Sequence, residues 1–380
     1  MSGGAEAVKN DQVKERNVSV NAEDAGMGAS AGADDVVRAI EANADESQSG
    51  QGTAASSPEI DVVTIGESMI LMQPLTEGPL AYTPLFTRSI AGAESNVAIG
   101  LSRLGRRVRW IGRLGADPFG DMIASTLAGE GIDVSCVERD PQHPTAIYFK
   151  EFKGYGDPNV YYYRKGSAAS RLAPEHVRPE WLAGARHLHV TGITPALGSH
   201  TADAVREAMT QARKQGMTVS FDPNLRRKLW TEEEARRTLL SLIPLCDLFL
   251  PGLDEAEFLL GEKPEEQYGP SFAQMGPKAV VLKLGERGAT GYLDGQTIPV
   301  EPYRVSRIVD TVGAGDAFAA GLLSVYLEEG GSLTVDRFER AIRTAATMGA
   351  LATQYRGDWE GLPKAAELER LMAGGKDVTR

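Results

Sequence analysis

The sequence predicts an α/β fold in three layers, with helices on both faces of a mostly parallel central sheet and a small β-sheet lid. From Ile60 onward, short apolar strands alternate with amphipathic helices, which is typical of a parallel sheet covered on both faces. Two stretches, residues 69–90 and 145–164, interrupt this alternation with extended sequence. We expect these two stretches to form the lid.

The central strands are predicted from short apolar runs, several of which end at a glycine or an aspartate. Turn-forming residues at those positions favour the end of a strand. The predicted strands are 60–66, 108–112, 188–192, 218–222, 248–250 and 279–284.

The helices are predicted from apolar residues at helical spacing, and no internal repeat is found. In the first helix Val97, Leu101 and Leu104 share one face, and Gly105 follows as a stop signal. Thr231 and Glu234 have the spacing of a capping box, which predicts a helix start. The predicted helices are 95–104, 119–128, 200–215, 232–244, 315–328 and 335–353.

The lid is predicted from two different patterns. Residues 69–90 are Pro-rich and have no helical period, whereas 145–164 predicts a hairpin with its turn at 154–159. Gly, Asp, Pro and Asn in that turn are strong turn formers. The alternative is that these strands extend the main sheet as antiparallel neighbours.

Composition divides the chain into a tail and a folded part. Residues 1–58 contain no Leu and no aromatic residue, and hold four basic against ten acidic side chains. Such a segment buries too little apolar surface to offset its conformational entropy. We therefore predict a disordered acidic tail at 1–58, one α/β domain at 59–363 and a C-terminal tail at 364–380.

Charge and hydropathy argue against two classes of partner. The tail carries −6 of the formal net charge of −12, so the folded part lacks the clustered basic surface that duplex nucleic acid requires. No apolar run approaches the ~18 residues of a membrane span, and no secretory signal is evident. We expect a soluble cytoplasmic protein in which Cys136 and Cys246 are reduced core residues.

The strongest chemical signal is the run 310–321 (DTVGAGDAFAAG). An apolar helix begins there directly after Gly313, Ala314 and Gly315, and unpaired N–H groups at a helix start bind anions. Glycines let that backbone approach a phosphate closely. Asp316 would accept a hydroxyl proton during phosphoryl transfer. The alternative is an ordinary turn into a helix, with Asp316 as its N-cap.

Two common nucleotide motifs do not describe this run. The sequence has no G-x-x-x-x-G-K-[S/T] run, and the glycines are not a G-x-G-x-x-G followed by an acid ~20 residues on. A nicotinamide dehydrogenase is therefore disfavoured.

The run 310–318 (DTVGAGDAF) resembles the C-terminal signature of the ribokinase-like (PfkB) carbohydrate kinases. The runs 91–105 (AGAESNVAIGLSRLG) and 112–120 (GRLGADPFG) resemble that family's N-terminal signature. The resemblance covers about 60–363. It implies a ribokinase-like fold, ATP and Mg²⁺ as cofactors, Asp316 as general base and residues 313–316 as the anion hole.

A finer resemblance is to the 2-keto-3-deoxygluconate kinases of that family. It implies phosphorylation of 2-keto-3-deoxygluconate to 2-keto-3-deoxy-6-phosphogluconate, an Entner–Doudoroff step. Other sugar kinases of the fructokinase or ribokinase type, and a non-catalytic sugar- or nucleotide-binding protein, remain alternatives. The runs that carry the resemblance are 161–168, 189–197, 221–226 with 229–230, and 356–361.

The same resemblance implies the residues that bind the sugar acid. Gly92 and Asn96 would contact the sugar, while the arginines suit a carboxylate because a planar guanidinium binds it through two hydrogen bonds. Ordinary strand packing for the tyrosines of 161–163, and a solvated charge for the last arginine, are the alternatives. The remaining predicted sugar-binding residues are Tyr148, Tyr162, Arg164 and Arg226.

The nucleotide-binding residues are also implied by the resemblance. Lys283, Gly285 and Gly288 would lie near ATP, unless their segment is a plain hairpin turn. Glu255 resembles a family glutamate that orders Mg²⁺ and phosphate, through water rather than as a direct ligand. Gly252 stands where that motif usually has Asn, so no side chain from position 252 reaches the site. A plain helix-surface charge is the alternative for Glu255.

Two further expectations follow from relatives. Asp310 corresponds to an aspartate that helps bind a monovalent cation in some of them. Relatives often pair through their lids, so a homo-oligomer is expected.

Overall fold

The strands of the protein form one large and one small sheet. The computed structural model describes residues 60–153, 158–328 and 333–374, and within these the sheets have nine and four strands. The strands are β1 (Ile60–Ile65), β2 (Met69–Pro74), β3 (Phe86–Ala91), β4 (Val108–Gly115), β5 (Val137–Asp140), β6 (Ile147–Glu151), β7 (Asn159–Tyr163), β8 (Ala185–Thr191), β9 (Thr218–Asp222), β10 (Leu248–Phe249), β11 (Ala279–Lys283), β12 (Ala289–Leu293) and β13 (Gln296–Val300).

The large sheet is mostly parallel, as predicted. Its order is β13-β12-β11-β10-β9-β8-β1-β4-β5. Neighbours from β11 to β5 pair in parallel, whereas β12 and β13 add to one edge as antiparallel strands.

Helices cover both faces of this sheet and complete the predicted three layers. Val63 of β1 packs with α4 to α7 on one face, and Val62 packs with α1, α2, α8 and α9 on the other. Burial of neighbouring residues on opposite faces explains why the strands are almost wholly apolar. The helices are α1 (Ala93–Arg103), α2 (Pro118–Gly129), α3 (Pro179–Leu182), α4 (Ser199–Lys214), α5 (Glu232–Leu242), α6 (Leu253–Leu260), α7 (Glu265–Ala273), α8 (Ala314–Tyr326), α9 (Val335–Ala352) and α10 (Ala365–Met372).

The small sheet, hereafter the lid, has the order β3-β2-β6-β7. It is separate from the main sheet, so the alternative of an antiparallel extension is wrong. β6 and β7 form the predicted hairpin, in which Tyr148 lies directly opposite Tyr162. Part of its predicted turn, residues 154–157, lies outside the described residues.

Two local predictions, the capping box and the state of the cysteines, are confirmed. Thr231 accepts a hydrogen bond from the Glu234 amide, and Glu234 accepts one from the Thr231 amide, completing the capping box of α5. Cys136 and Cys246 are buried and free. Among the described helices, none combines the length and the apolar character needed to cross a bilayer.

The two ends of the chain differ in what the structure describes. The predicted tail at 1–58 lies outside the described residues. The predicted C-terminal tail at 364–380 contains α10, because Leu368 is buried in a small apolar cluster with Met348 and Leu362.

Candidate active site

Polar side chains gather at the carboxyl ends of the parallel strands. Glu67 follows β1, Thr191 ends β8, Asp222 ends β9 and Lys283 ends β11. Because parallel strands end at one edge of a sheet, these residues lie on the same side, where open α/β sheets bind their ligands.

The loop before α8 has the backbone that the glycine motif predicts. Gly313 is the N-cap of α8 with a left-handed φ of 86° and no side-chain capping bond. A Cβ at this position would lie 2.1 Å from the Asp358 carbonyl oxygen, so only glycine fits. The N-cap is therefore Gly313, and the alternative of Asp316 as N-cap is wrong. The first amides of α8 remain without helical partners.

Asp316 lies in the first turn of α8 and is 7% exposed. Its Oδ2 accepts a hydrogen bond from Asn96 Nδ2 at 2.7 Å, and its Oδ1 accepts one from Asn224 Nδ2 at 3.3 Å. Burial raises the pKa of Asp316 to about 6, although Asn96 and the nearby charge of Arg226 favour the ionised form. The carboxylate is therefore held by two amides at a pKa suited to accepting a proton near neutrality.

The first glycine motif meets the second on one face of the large sheet. Gly92 is the N-cap of α1, and a Cβ there would lie 2.2 Å from the Glu67 carbonyl oxygen. This close approach brings the first turn of α1, with Asn96, against Asp316. Asn96 and Asp316 are 220 residues apart in sequence, so their hydrogen bond joins the two motifs into one site.

The lid contributes the predicted tyrosines. Tyr148 is buried and its Oη donates to Asp358 Oδ2 at 2.8 Å. The rings of Tyr148 and Tyr162 lie 5.5 Å apart, so the two residues share one face of the hairpin as predicted. Tyr161 and Tyr163 alternate with Tyr162 along β7 and therefore point to its opposite face.

Arg164 differs from the expectation of a free guanidinium. It is buried, forms an ion pair with Glu67 and stacks over the Tyr162 ring at 5.2 Å. A buried charge needs such a partner, and no pattern in the sequence pointed to Glu67. Arg164 therefore fixes β7 to the end of β1 before any ligand binds.

Arg226 is the guanidinium that remains available. Arg226 is exposed on the loop after β9, and within the described residues its guanidinium forms no hydrogen bond or ion pair. Its charge favours the ionised form of Asp316, so the two side chains lie within electrostatic range of each other. Arg227 instead pairs with Glu232 at 2.8 Å, as a surface charge would.

Lys283 lies next to the glycine loop. Its Nζ donates to Asp222 Oδ2 at 2.7 Å and lies 3.9 Å from where a Cβ of Gly315 would be. The segment with Gly285 and Gly288 connects the antiparallel strands β11 and β12. The backbone of this segment is therefore a hairpin turn, as the alternative stated. Its role in binding ATP stays a prediction.

Glu255 is not a plain surface charge. Its Oε2 accepts from the Gly252 amide at 2.7 Å and its Oε1 from the Leu225 amide at 2.8 Å. Burial raises its pKa, against the opposing effect of Lys283. Since Gly252 has no side chain to cap α6, Glu255 does so, and it also fixes the loop that carries Arg226.

Sequence reasoning missed several charged residues that line this region. Glu94 is fully buried, accepts hydrogen bonds from Thr191 and Thr194 at 2.8 and 3.0 Å, and has a pKa raised to about 7 by burial. A charged residue inside the apolar helix 93–101 was the available signal. Lys150 within the apolar strand β6 was a similar signal.

Asp310 is already paired in this structure. Its Oδ2 lies 2.6 Å from Lys150 Nζ, and its Oδ1 accepts from the Val312 amide at 3.1 Å. The second carboxylate on Lys150 is Asp358, at 2.7 Å.

One family model matches most of the chain. The model described as pfkB family carbohydrate kinase matches residues 59–365, which includes every site residue above.

Two curated relatives match over nearly their whole length. A 2-dehydro-3-deoxygluconokinase from Bacillus subtilis is 40% identical over 84% of this chain and 98% of its own. An enzyme of the same name from Thermoproteus tenax is 35% identical over 86% of this chain and 98% of its own.

Solved structures share the fold. An E. coli protein assigned as ribokinase II, with ATP and Mg²⁺ bound, superposes with a TM-score of 0.76, at 29% identity over 83% of this chain and 99% of its own. A double mutant of Vibrio cholerae fructokinase with fructose, ADP and potassium ion superposes with a TM-score of 0.73, at 28% identity over 82% and 98%.

Proposed function

This chain belongs to the pfkB family of carbohydrate kinases, and we propose that it transfers the γ-phosphoryl group of ATP to 2-keto-3-deoxygluconate (2-dehydro-3-deoxygluconate). The observation that carries the proposal is the Asn96–Asp316 hydrogen bond of 2.7 Å. It sets a carboxylate of near-neutral pKa at the open start of α8, beside the end of α1.

Asp316 is proposed as the general base. Its ionised carboxylate would take the proton of the sugar's terminal hydroxyl while that oxygen attacks the γ-phosphorus. The amides of Asn96 and Asn224 hold the two carboxylate oxygens, so the base is oriented before the substrate arrives.

The start of α8 is proposed as the anion hole. Backbone amides around Gly313, Ala314 and Gly315 would donate to the oxygens of the transferring group as their charge develops. The Ala314 amide also donates to the Thr311 carbonyl, at 3.3 Å. Lys283 lies next to this loop and adds a positive charge, because Asp222 and Glu255 outweigh the effect of burial and raise the pKa of its ammonium.

The donor set beside Lys283 fits Mg²⁺ bound through water. Mg²⁺ keeps several waters and takes few carboxylates, and here Asp222 and Glu255 are both engaged in protein hydrogen bonds. When bound, Mg²⁺ would share the charge of the phosphate oxygens. Asp222 and Glu255 would orient its waters.

Arg226 favours an acidic sugar over a neutral sugar as the substrate. It is an exposed guanidinium without a partner among the described residues, close enough to Asp316 to affect its pKa. A bidentate arginine suits the carboxylate of a sugar acid. The Bacillus subtilis and Thermoproteus tenax relatives named 2-dehydro-3-deoxygluconokinase support this substrate.

The test is a panel of sugars assayed by ADP release. We expect 2-keto-3-deoxygluconate to have a higher kcat/KM than fructose or ribose. A higher kcat/KM for fructose or ribose would instead indicate a sugar kinase of the fructokinase or ribokinase type. If no sugar leads to ADP release, the alternative of a non-catalytic binding protein is favoured.

Arg226→Ala tests the carboxylate contact, and Arg227→Ala is the matched neighbour. We expect Arg226→Ala to raise KM for the sugar acid by roughly tenfold or more, as loss of a charge-assisted hydrogen bond costs about 1.5–3 kcal/mol. KM for a neutral sugar should change much less, and Arg227→Ala should leave both values near wild type. Equal effects of Arg226→Ala on acid and neutral sugars would reject the role.

Two further proposals concern the cellular location and the assembly of the protein. We propose a cytoplasmic enzyme, which the two free buried cysteines support. A homo-oligomer formed through the lid is supported by exposed aromatic side chains, Tyr163 of β7 at 69% exposure and Tyr82 of the β2–β3 connection at 85%. Light scattering of the purified chain would test the assembly.

A further inference from the structure

A lysine ammonium is buried between two carboxylates below the lid. The Lys150 and Asp310 side chains are 0% exposed and that of Asp358 is 7% exposed. Nζ lies 2.6 Å from Asp310 Oδ2 and 2.7 Å from Asp358 Oδ1. We call these three residues the ammonium cluster.

The cluster joins three separate parts of the chain. Lys150 belongs to β6 of the lid, Asp310 precedes the glycine loop, and Asp358 follows α9. Tyr148, two residues before Lys150 on the same face of β6, donates to the second oxygen of Asp358 at 2.8 Å. One strand of the lid therefore contacts Asp358 through both of its inward side chains.

The two carboxylates control the backbone of the anion hole. Asp310 accepts from the amides of Val312 at 3.1 Å and Gly357 at 3.4 Å. The Asp358 carbonyl lies against Gly313, so closely that a Cβ would be 2.1 Å away. A cation that draws Asp310 and Asp358 together therefore sets where Gly313 lies.

Two buried carboxylates need a positive charge between them, because burying an uncompensated charge is costly. In some relatives a monovalent cation is expected at the position of Asp310, and the Vibrio cholerae fructokinase was solved with potassium ion. In this chain Asp310 Oδ2 already accepts a hydrogen bond from the Lys150 ammonium. The residues present therefore do not fit a free monovalent cation beside Asp310.

We propose that Lys150 is a built-in monovalent cation, a positioning residue of the lid that holds the anion hole in place without potassium. Asp358 and Asp310 outweigh burial and raise the pKa of Lys150, which keeps the ammonium charged. The ion is covalently attached to the lid, so the lid and the glycine loop are tied together at one point.

The experiment compares the wild type with Lys150→Met in potassium, ammonium and tetramethylammonium chloride at equal ionic strength. Tetramethylammonium is too large to sit between the two carboxylates. The wild type should have the same kcat in all three salts. Lys150→Met should lose roughly 10²-fold in kcat in tetramethylammonium, the cost of a displaced catalytic loop, and recover it saturably with potassium or ammonium.

Thermal unfolding provides a second readout that needs no substrate. Potassium or ammonium should raise the Tm of Lys150→Met saturably and leave that of the wild type unchanged. Lys153→Met is the matched control, since Lys153 is 42% exposed and pairs only loosely with Glu151 at 3.5 Å. It should behave like the wild type in every salt.

Two results would overturn the proposal. One is saturable activation of the wild type by potassium, and the other is a folded Lys150→Met that responds to no cation in rate or Tm. If Lys150→Met does not fold, Lys150→Met/Asp358→Asn keeps the net charge of the cluster and should show the same potassium response; its absence would also overturn the proposal. The kcat measurements rest on the proposed function, whereas the Tm measurements do not. Failure of the cation proposal can therefore be told apart from failure of the proposed function.

Discussion

Two buried carboxylates, Asp316 and Glu94, set the chemistry of the site at the scale of single residues. Burial raises the pKa of Asp316 to about 6 and that of Glu94 to about 7. Asp316 has two amide donors, while Glu94 Oε2 has no partner among the described residues. The first carboxylate is therefore held ready to ionise, and the second is costly to ionise.

Replacing Asp316 with Asn should remove the base and keep the fold. Asn96 can still donate to the amide oxygen of the new side chain, and a buried charge disappears. We expect kcat to fall by about 10²–10⁴-fold with a Tm at or above that of the wild type. ADP release measures kcat and calorimetry measures Tm. A kcat of Asp316→Asn equal to that of the wild type would exclude Asp316 as the base.

The pH dependence of kcat/KM should report the same carboxyl. Only the ionised form accepts a proton, so the rate should fall about tenfold per pH unit below the pKa of about 6. The residual activity of Asp316→Asn should lack this acid limb. If kcat/KM of that variant falls at acidic pH in the same way, the fall is due to the substrate phosphates or to another group.

Glu94→Gln should stabilise the protein at alkaline pH. The folded carboxyl binds its proton more tightly than the unfolded one, so wild-type stability falls as pH rises from about 4.5 to about 7. The shift corresponds to roughly 3 kcal/mol at full ionisation. Denaturant titrations at pH 5 and pH 8 should show a larger gain for Glu94→Gln at pH 8. An equal gain at both would contradict the raised pKa.

Helices and strands were predictable where periodicity and local turn chemistry agree. The capping box of Thr231 and Glu234 marked the start of α5 correctly. The hairpin of β12 and β13 was missed, although Asp294 and Gly295, both with positive φ, form the dipeptide that most strongly indicates a two-residue turn. β5 (Val137–Asp140) was missed because three of its four side chains are charged.

The cap of α5 allows a prediction at the scale of one element. Thr231→Ala leaves the Glu234 amide without its acceptor and should cost about 1 kcal/mol, lowering Tm by a few degrees. Thr231→Ser keeps the oxygen and should change Tm little. Equal losses in both variants would assign the effect to the methyl group of Thr231 and not to the cap.

At the scale of the whole molecule, glycine motifs predict which segments form the site but not which charges pair within it. The loop at 313–316 and its contact with α1 agree with the two signatures. The partners Glu67 of Arg164 and Lys150 of Asp310 come from distant strands, and nothing in local sequence relates them. Such pairs depend on the order of strands in two sheets, which periodicity does not determine.

The distance in sequence between Asn96 and Asp316 also affects how the protein is made. At about 5–20 residues per second on a ribosome, the 220 residues between them take on the order of ten to forty seconds to synthesise. During that interval the Asn96 side chain lacks its Asp316 partner. The proposed site therefore cannot form until residue 316 of the 380 has been synthesised, however early the first strands have paired.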